Sequence, residues 1–253
     1  MSSAGEGRSH RIDGVLFDYG ETLVEFVRPL EALAEAEGRI LALLAASGRV
    51  VPSTATVRTV QDRVEREVID HQRSGALEEI DLAAASFRAY ADAGLTLDAA
   101  LLDEILRVEQ EAWWHGAHPD PEAVPLLDAL RGRGVRVGLC SNAPYRIESL
   151  RAQLTFLGLD RHLDAAVFSA EVGWRKPSPS IFEAALRALG TEADRTVMVG
   201  DSEAADIAGA HAAGLRAVLI SRSEQGGSSE SDAVIAALRE LPGALRNMGI
   251  YLE

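Results

Sequence analysis

The chain has 253 residues, of which 47% are hydrophobic and 25% charged, and it carries a formal net charge of −14. The negative charge argues against nucleic acid and anionic membranes as partners, because both present phosphate groups that require a basic surface. The single cysteine, Cys140, excludes an intrachain disulfide and a cysteine-rich zinc site.

The N-terminal residues 1–12 are small and polar, and we expect them to form a disordered tail. They contain no apolar stretch of the kind found in signal peptides. No segment approaches the roughly 20 apolar residues of a membrane span. We therefore expect a cytoplasmic protein, a monomer or a homodimer, that does not bind membranes.

Five short apolar segments rich in β-branched residues are predicted to be strands. They lie at 15–17, 135–140, 165–168, 196–199 and 217–220. Helical patterns occupy 121–131, 145–157, 178–189 and 203–213, with Ser178 as a helix start and Gly190 as a helix stop. Strands and helices that alternate in this way predict an α/β fold, a parallel sheet with helices on both faces.

Residues 26–119 interrupt the alternation. Apolar residues recur there at helical spacing in the segments 29–47, 56–72, 81–94 and 97–114, with almost no strand pattern. We predict a separate all-helical domain at 26–119, inserted into a sheet domain made of 13–25 and 120–253. Near the C-terminus, the Gly/Ser-rich residues 221–232 predict a flexible loop before a last helix at about 233–240.

Polar side chains follow four of the predicted strands. They are Asp18, then Ser141 and Asn142, then Lys176, and finally Asp201, Ser202 and Asp206. In open α/β sheets, ligands bind beyond the carboxyl ends of the strands, so we expect these side chains to meet at one edge. Lys176 is also the single lysine of the chain.

Carboxylates, hydroxyls and an ammonium group at one edge suit the chemistry of phosphate esters. Two neighbouring carboxylates repel each other unless a cation lies between them, and oxygen ligands suit Mg²⁺. A hydroxyl and a lysine can hold phosphoryl oxygens, and a carboxylate can act as the nucleophile. Simpler roles exist for each residue: Asp18 in a solvated turn, Lys176 as surface charge, and Ser141 as the cap of the following helix.

These residues resemble the motifs of the haloacid dehalogenase superfamily. The similar segments are FDYGETL at 17–23, Ser141-Asn142, Lys176-Pro177 and GDSEAADIAGAHAAG at 200–214. The resemblance implies a Rossmann-like core at 13–25 and 120–253, and it places the family's cap domain at 26–119. It also implies a phosphatase acting on a small phosphorylated molecule with Mg²⁺ as cofactor.

The same resemblance implies a role for each site residue. Asp18 would be the nucleophile and a metal ligand, with Asp201 and the Gly20 carbonyl as further ligands. Ser141 and Lys176 would bind the phosphoryl group. Asn142 and Thr22 would contact the substrate, and Ser202 would support the metal site. Asp206 would support either the metal site or Lys176.

Gly20 departs from the family pattern. Phosphatases of the superfamily carry a second aspartate at this position, which protonates the leaving oxygen and then activates water. General acid–base catalysis is typically worth about 10²- to 10⁴-fold in rate. Glu21 is the nearest acid and is our candidate for this role, and a residue of the helical domain such as Glu25 is another.

Two other functions remain open on the sequence. The protein could have lost turnover and bind a phosphorylated ligand or partner, a possibility that Gly20 keeps open. It could also be a metal-free hydrolase of the dehalogenase type, which Asp201 and Asp206 disfavour. Phosphonate-cleaving members of the superfamily form an imine with a lysine of the cap domain. This chemistry is excluded, because the chain has no lysine besides Lys176.

Overall fold

A computed structural model describes residues 11–222 and 230–251. The predicted tail at 1–12 lies almost wholly outside these residues, as does most of the predicted loop at 221–232. The chain divides into two compact units. The first contains residues 1–25, 119–142 and 161–253, and the second contains 26–118 and 143–160.

Five of the strands and most of the helices follow the predicted segments closely. The strands are β1 (Gly14–Phe17), β2 (Val24–Phe26), β3 (Ala117–Pro119), β4 (Arg136–Ser141), β5 (Ala165–Phe168), β6 (Thr196–Gly200), β7 (Arg216–Ile220) and β8 (Ala233–Ile235). The helices are α1 (Leu30–Ala46), α2 (Thr54–Arg73), α3 (Leu82–Asp92), α4 (Ala99–Trp113), α5 (Ala123–Arg131), α6 (Ile147–Phe156), α7 (Ser169–Val172), α8 (Pro179–Leu189), α9 (Ala208–Ala212) and α10 (Leu241–Asn247). None of these described helices is both long and apolar enough to cross a membrane.

A six-stranded sheet forms the centre of the first unit, in the order β5-β4-β1-β6-β7-β8. All of its neighbouring strands run parallel, and Phe17 at the end of β1 lies in register with Leu139 of β4 and Val199 of β6. Strands β2 and β3 form a separate two-stranded sheet. The predicted α/β fold with a parallel sheet is therefore confirmed.

Strand β1 is apolar along its whole length because it is buried on both faces of the sheet. Leu16 packs in one cluster with Phe182 of α8 and Ile207. Its neighbours Val15 and Phe17 are also fully buried, and they point to the opposite face, since side chains alternate along a strand. Helices on both faces explain why the sequence pattern here is a continuous apolar run.

Helix α8 shows how local residues set the ends of an element. Ser178 is the N-cap, and its side chain accepts a hydrogen bond from the Ser180 amide, with Pro179 in the first helical turn. Gly190 ends the helix in the left-handed conformation that favours glycine. The predicted start and stop of this helix are both confirmed.

The second unit is built from helices around its own apolar core. Ile40 and Leu44 of α1, Val57 of α2 and Ile105 of α4 are completely buried in this core. Polar N-caps start three of the helices: Ser53, Asp81 and Asp98 each accept a hydrogen bond from a backbone amide of the first turn. The helical segments predicted for 29–114 are confirmed as helices.

Residues 143–160 belong to the helical unit, whereas the sequence placed them in the sheet domain. Arg146, just before α6, forms a bidentate ion pair with Asp103 of α4 at 2.5 and 2.8 Å. The Arg146 amide also donates to Gln110 Oε1 at 3.1 Å. These contacts join segments about forty residues apart, so a local sequence pattern could not predict them.

The predicted last helix at 233–240 is wrong. Residues Ala233–Ile235 form strand β8, which pairs with β7 so that Val234 lies in register with Leu219. A short 3₁₀ turn at Leu238–Glu240 then leads into α10. The free edge of β7 offered backbone partners, and this tertiary pairing decided the conformation of a short apolar segment.

Candidate active site

Asp18 and Lys176 meet at the carboxyl ends of the strands. Asp18 directly follows β1, and its amide donates to the Val199 carbonyl of β6 at 2.9 Å. Lys176 Nζ lies 2.6 Å from Asp18 Oδ1 and 2.6 Å from Asp206 Oδ1. The single lysine of the chain is therefore a buried cation between two carboxylates, which excludes a role as ordinary surface charge.

Burial and charge set the protonation of this group. Burial raises the pKa of Asp18 to about 6, an increase that Lys176 partly offsets and that the carboxylate of Asp206 reinforces. Burial also lowers the pKa of Lys176, but attraction to Asp18 and Asp206 is stronger, and the net shift of its pKa is upward. Lys176 is therefore charged at neutral pH.

Asp201 completes an acidic cluster with Asp18 and Asp206. Carboxylate oxygens of the three residues all lie within 4.8 Å of one another. Partial burial, followed by the charge of Asp206, raises the pKa of Asp201. A bound divalent cation would offset the repulsion between these carboxylates. Carboxylate oxygens are also the ligands that Mg²⁺ prefers. The residues present therefore fit a magnesium ion.

Asp206 is held by its own loop as well as by Lys176. Its Oδ2 accepts a hydrogen bond from the Ser202 amide at 3.0 Å, and Ser202 Oγ accepts from the Ala205 amide at 3.2 Å. These residues form a π-helical turn at Glu203–Ile207, a distortion that is frequent at functional sites. Because its Oδ2 is held by the Ser202 amide and its Oδ1 forms an ion pair with the Lys176 ammonium, Asp206 is suited to orient Lys176.

Two glycines of the segment 200–214 allow these close approaches. A Cβ added at Gly200 would lie 2.3 Å from Asp206 Cγ. A Cβ added at Gly209 would lie 2.9 Å from the Cα of Pro177, the residue after Lys176, and 2.7 Å from the Phe182 ring. The glycines of this motif therefore let Asp206 and the Lys176 loop pack directly against their neighbours.

Asn142 fixes the backbone of Lys176. Its Nδ2 donates to the Lys176 carbonyl at 3.0 Å, and its Oδ1 accepts from the Lys176 amide at 2.7 Å. The sequence assigned Asn142 to substrate binding, and the contacts seen here are with the protein. Ser141 is the buried last residue of β4, and α6 begins after Arg146, so Ser141 does not cap that helix.

The loop after Asp18 carries the other predicted site residues. Gly20 forms a β-bridge with Val24, and Glu21 adopts a left-handed φ of 56°. The Glu21 side chain is exposed, and its charge contributes to the raised pKa of Asp201. Thr22 is fully buried, and its Oγ1 has no hydrogen-bond partner among the described residues. This burial argues against the substrate contact that the sequence predicted for Thr22.

Arg222 is a residue of this region that the sequence did not single out. It follows β7 and contacts the backbone carbonyls of Glu21 and Thr22 and the carboxylate of Asp120. No motif marks it, because its partners lie far away along the chain. The strand-end rule could have drawn attention to it, since it comes two residues after β7 ends.

Comparison with known proteins decides the family. The model for haloacid dehalogenase-like hydrolases matches residues 12–214, which contain all the predicted site residues. The chain belongs to this family. The resemblance seen in the motifs is thus confirmed, and so is the fold that it implied.

Similar proteins include enzymes that are named for different activities. The chain is 42% identical over 123 residues to the phosphoglycolate phosphatase of Rhodospirillum rubrum, covering 49% of this chain and 48% of that one. It is 36% identical over 129 residues to the ribulose-1,5-bisphosphate 5-phosphatase of Halopiger xanaduensis, covering 51% and 53%. The chain spans about half the length of these curated relatives.

A solved structure extends the comparison to nearly the whole chain. The crystal structure of 2-haloacid dehalogenase from Pseudomonas syringae pv. tomato DC3000 is 27% identical, with a TM-score of 0.65, and covers 93% of this chain and 99% of that one. The relatives of this family member therefore include both phosphatases and a dehalogenase.

Proposed function

We propose that this family member is a Mg²⁺-dependent phosphatase that acts on a small phosphorylated metabolite through an aspartyl-phosphate on Asp18. The observation that carries the proposal is the grouping of Asp18, Asp201 and Asp206 within 4.8 Å, with Lys176 between two of them. The names of the curated phosphatases support a small phosphorylated substrate.

The magnesium site would use Asp18, Asp201 and the backbone carbonyl of Gly20. A carbonyl ligand needs no side chain, so glycine at this position leaves the site intact. When bound, the ion supplies positive charge that offsets the carboxylates and the phosphoryl oxygens. It would also favour ionised Asp18 over the protonated form that burial promotes, which is the form required of a nucleophile.

In the first chemical step, an Asp18 oxygen attacks phosphorus while the bond from phosphorus to the ester oxygen breaks. The electron pair of that bond leaves with the alcohol oxygen, which must then take up a proton. Lys176 and the Ser141 hydroxyl donate hydrogen bonds to the phosphoryl oxygens, where they offset negative charge. Water then attacks phosphorus, and Asp18 and inorganic phosphate are released.

Gly20 determines which substrates react well. It cannot protonate the leaving oxygen, so the first step depends on how readily that oxygen leaves as an anion. Glu21 is the acid nearest to it in the chain, and its exposed side chain near Asp201 makes it our candidate for partial replacement. Acid–base catalysis contributes about 10²- to 10⁴-fold in rate, which sets the size of the expected defect.

A second candidate function is metal-free dehalogenation, which the similarity to 2-haloacid dehalogenase favours. That reaction also uses a carboxylate nucleophile, but it gives no role to the acidic cluster around Asp18. A third is binding of a phosphorylated ligand without turnover, which the glycine at position 20 favours. Each predicts a different result in the same assay.

The test measures phosphate release from a panel of aryl, acyl and alkyl phosphates with Mg²⁺ and with EDTA, and halide release from 2-chloropropionate in parallel. We expect phosphate release that needs Mg²⁺ and is lost in Asp18→Asn. Asp13→Asn is the matched control, because Asp13 precedes β1 and pairs with Arg195 away from the site. Halide release without metal would favour the dehalogenase function. Tight phosphate binding without turnover would favour the binding protein.

A further inference from the structure

Arg222 binds the loop that follows the proposed nucleophile. Its Nη2 donates to the Thr22 carbonyl at 3.1 Å, and its Nη1 donates to the Glu21 carbonyl. The same Nη2 lies 2.9 Å from Asp120 Oδ2. One guanidinium group therefore joins two consecutive carbonyls of the loop to an acidic residue about a hundred positions later.

Asp120 continues this arrangement along the loop. Its amide donates to the Leu23 carbonyl at 2.9 Å, and its Oδ1 accepts from the Glu122 amide at 2.8 Å. Arg222 and Asp120 together therefore bind the carbonyls of three consecutive residues, 21, 22 and 23. A planar guanidinium is suited to this task because its donors point in fixed directions.

The loop has a reason to need such a clamp. Glu21 has a positive φ of 56°, which is uncommon and unfavourable for a residue with a side chain. Inside the loop, the amides of Leu23 and Val24 both donate to the Tyr19 carbonyl, at 3.1 and 2.9 Å. The inner hydrogen bonds close the turn, and Arg222 and Asp120 hold its outer carbonyls.

We propose that Arg222, acting with Asp120, is a positioning residue that fixes the loop 18–24 and thereby the orientation of Asp18 and of the Gly20 carbonyl. The inference rests on the proposed function for its effect on turnover, and on the contacts alone for its effect on the loop. Arg222 itself does not touch the reacting atoms.

If Arg222 only stabilised the fold, its substitution would lower the melting temperature together with the turnover. The Arg222 side chain is 45% exposed, and surface ion pairs of this kind contribute little to global stability. A positioning role instead predicts lower turnover with little change in melting temperature. Small misplacements of catalytic groups can cost rate by up to about 100-fold.

The experiment compares Arg222→Gln, Arg222→Lys and Asp120→Asn with Arg195→Gln as the matched control. Arg195 is as exposed as Arg222 and forms a bidentate pair with Asp13, at 2.6 and 2.7 Å, and among the described residues it has no hydrogen bond to the loop. Measurements are kcat, KM, the Mg²⁺ concentration for half-maximal activity, melting temperature, and hydrogen–deuterium exchange of peptides covering 18–26.

We expect Arg222→Gln to lower kcat roughly 10- to 100-fold, to raise the Mg²⁺ requirement and to speed exchange at Leu23 and Val24. Arg222→Lys keeps the charge but loses the planar guanidinium that binds two carbonyls at once. Its kcat should therefore lie between those of Arg222→Gln and the wild type. Asp120→Asn should shift the same quantities in the same direction, and Arg195→Gln should leave them at wild-type values.

Wild-type kcat and wild-type exchange in Arg222→Gln would overturn the proposal. If Arg222→Gln fails to fold, the comparison of Arg222→Lys and Asp120→Asn with Arg195→Gln decides in the same way. If the wild-type protein releases no phosphate from any ester, the proposed function fails by itself. The exchange of 18–26 then still decides whether Arg222 fixes the loop.

Discussion

The ammonium of Lys176 lies 2.6 Å from Asp206 Oδ1, and the two side chains are only 2% and 1% exposed. Removing one partner of a buried ion pair leaves an uncompensated charge in a medium of low polarity. Removing Lys176 would break two ion pairs at once, because Lys176 also neutralises Asp18. The pair therefore contributes to the stability of the fold as well as to the proposed chemistry.

Lys176→Met should accordingly destabilise the protein by about 3–5 kcal/mol. It leaves the carboxylates of Asp18 and Asp206 facing each other without a cation. Thermal and urea denaturation measure the change. Arg187→Met is the control, because Arg187 pairs with Glu183 at 3.9 Å with both side chains mostly exposed, and its loss should cost under about 1 kcal/mol. Equal effects of the two substitutions would contradict the buried role of Lys176.

The magnesium site gives a prediction that does not need turnover. Mg²⁺ should raise the melting temperature of the wild-type protein, because binding to the folded state stabilises it. Asp201→Asn removes one proposed ligand charge and should weaken this shift, together with any phosphate release. Asp194→Asn, outside the acidic cluster, serves as the control. Phosphate release that persists in EDTA would exclude the metal-dependent mechanism.

Gly20 predicts a strong dependence on the leaving group. Aryl and acyl phosphates, whose oxygens leave easily, should react faster than alkyl or sugar phosphates by about 10²- to 10⁴-fold. Gly20→Asp should narrow this gap, because it returns an acid to the position that Gly20 leaves without one.

Equal rates for aryl and alkyl phosphates would instead mean that another residue supplies the proton. Glu21→Gln is then the decisive variant, because it should restore the gap. Glu25→Gln is its matched comparison, because Glu25, a residue of β2, is the other acid considered for this role. A gap that neither substitution changes would exclude both residues as the acid.

Glu109 of α4 predicts how stability depends on pH. Burial raises its pKa to about 7, an increase that a hydrogen bond from Gln61 partly offsets. Because the folded-state pKa exceeds the unfolded one, its stabilising contribution is complete below the unfolded pKa of about 4.3. That contribution is lost as pH rises through about 7. Glu109→Gln should therefore leave stability unchanged at pH 4 and raise it at pH 8 by about 1–3 kcal/mol.

Glu104 on the same helix is the matched control for this pH dependence. Its pKa is lowered, chiefly by a hydrogen bond from Arg107. Its contribution to stability is therefore present above its unfolded pKa, and Glu104→Gln should reduce stability at pH 8. Melting temperatures at pH 4 and pH 8 give the comparison. The same sign for both variants at pH 8 would contradict the raised pKa of Glu109.

The glycines offer a test of close packing at the site. Gly200→Ala should displace Asp206 and reduce both stability and turnover, because the added Cβ would lie 2.3 Å from Asp206 Cγ. Gly38 lies inside α1, and an added Cβ would meet no atom within 4 Å apart from the local helix backbone, so Gly38→Ala should stabilise the protein by about 0.5–1 kcal/mol. Melting temperatures should move in opposite directions in the two variants.

The sequence by itself determined five of the six strands of the parallel sheet, most helices and the residues at the strand ends. These features depend on patterns within a few residues: continuous apolar runs for strands buried on both faces, helical spacing in 29–114, and caps such as Ser178 and Gly190. The strand-end rule then predicts Asp18, Lys176 and Asp201 as site residues, because parallel strands bring their carboxyl ends to one edge.

The tertiary structure alone decided which of these groups touch and which lie elsewhere. Lys176 and Asp18 are 158 residues apart, and Arg222 and Glu21 are 201 apart, so their contacts depend on how distant segments pack. The strand at Ala233–Ile235, the burial of Thr22 and the union of α6 with the helical unit have the same origin. Each follows from partners that the neighbouring residues in the chain do not supply, and a local pattern cannot encode a partner that folding brings from far away.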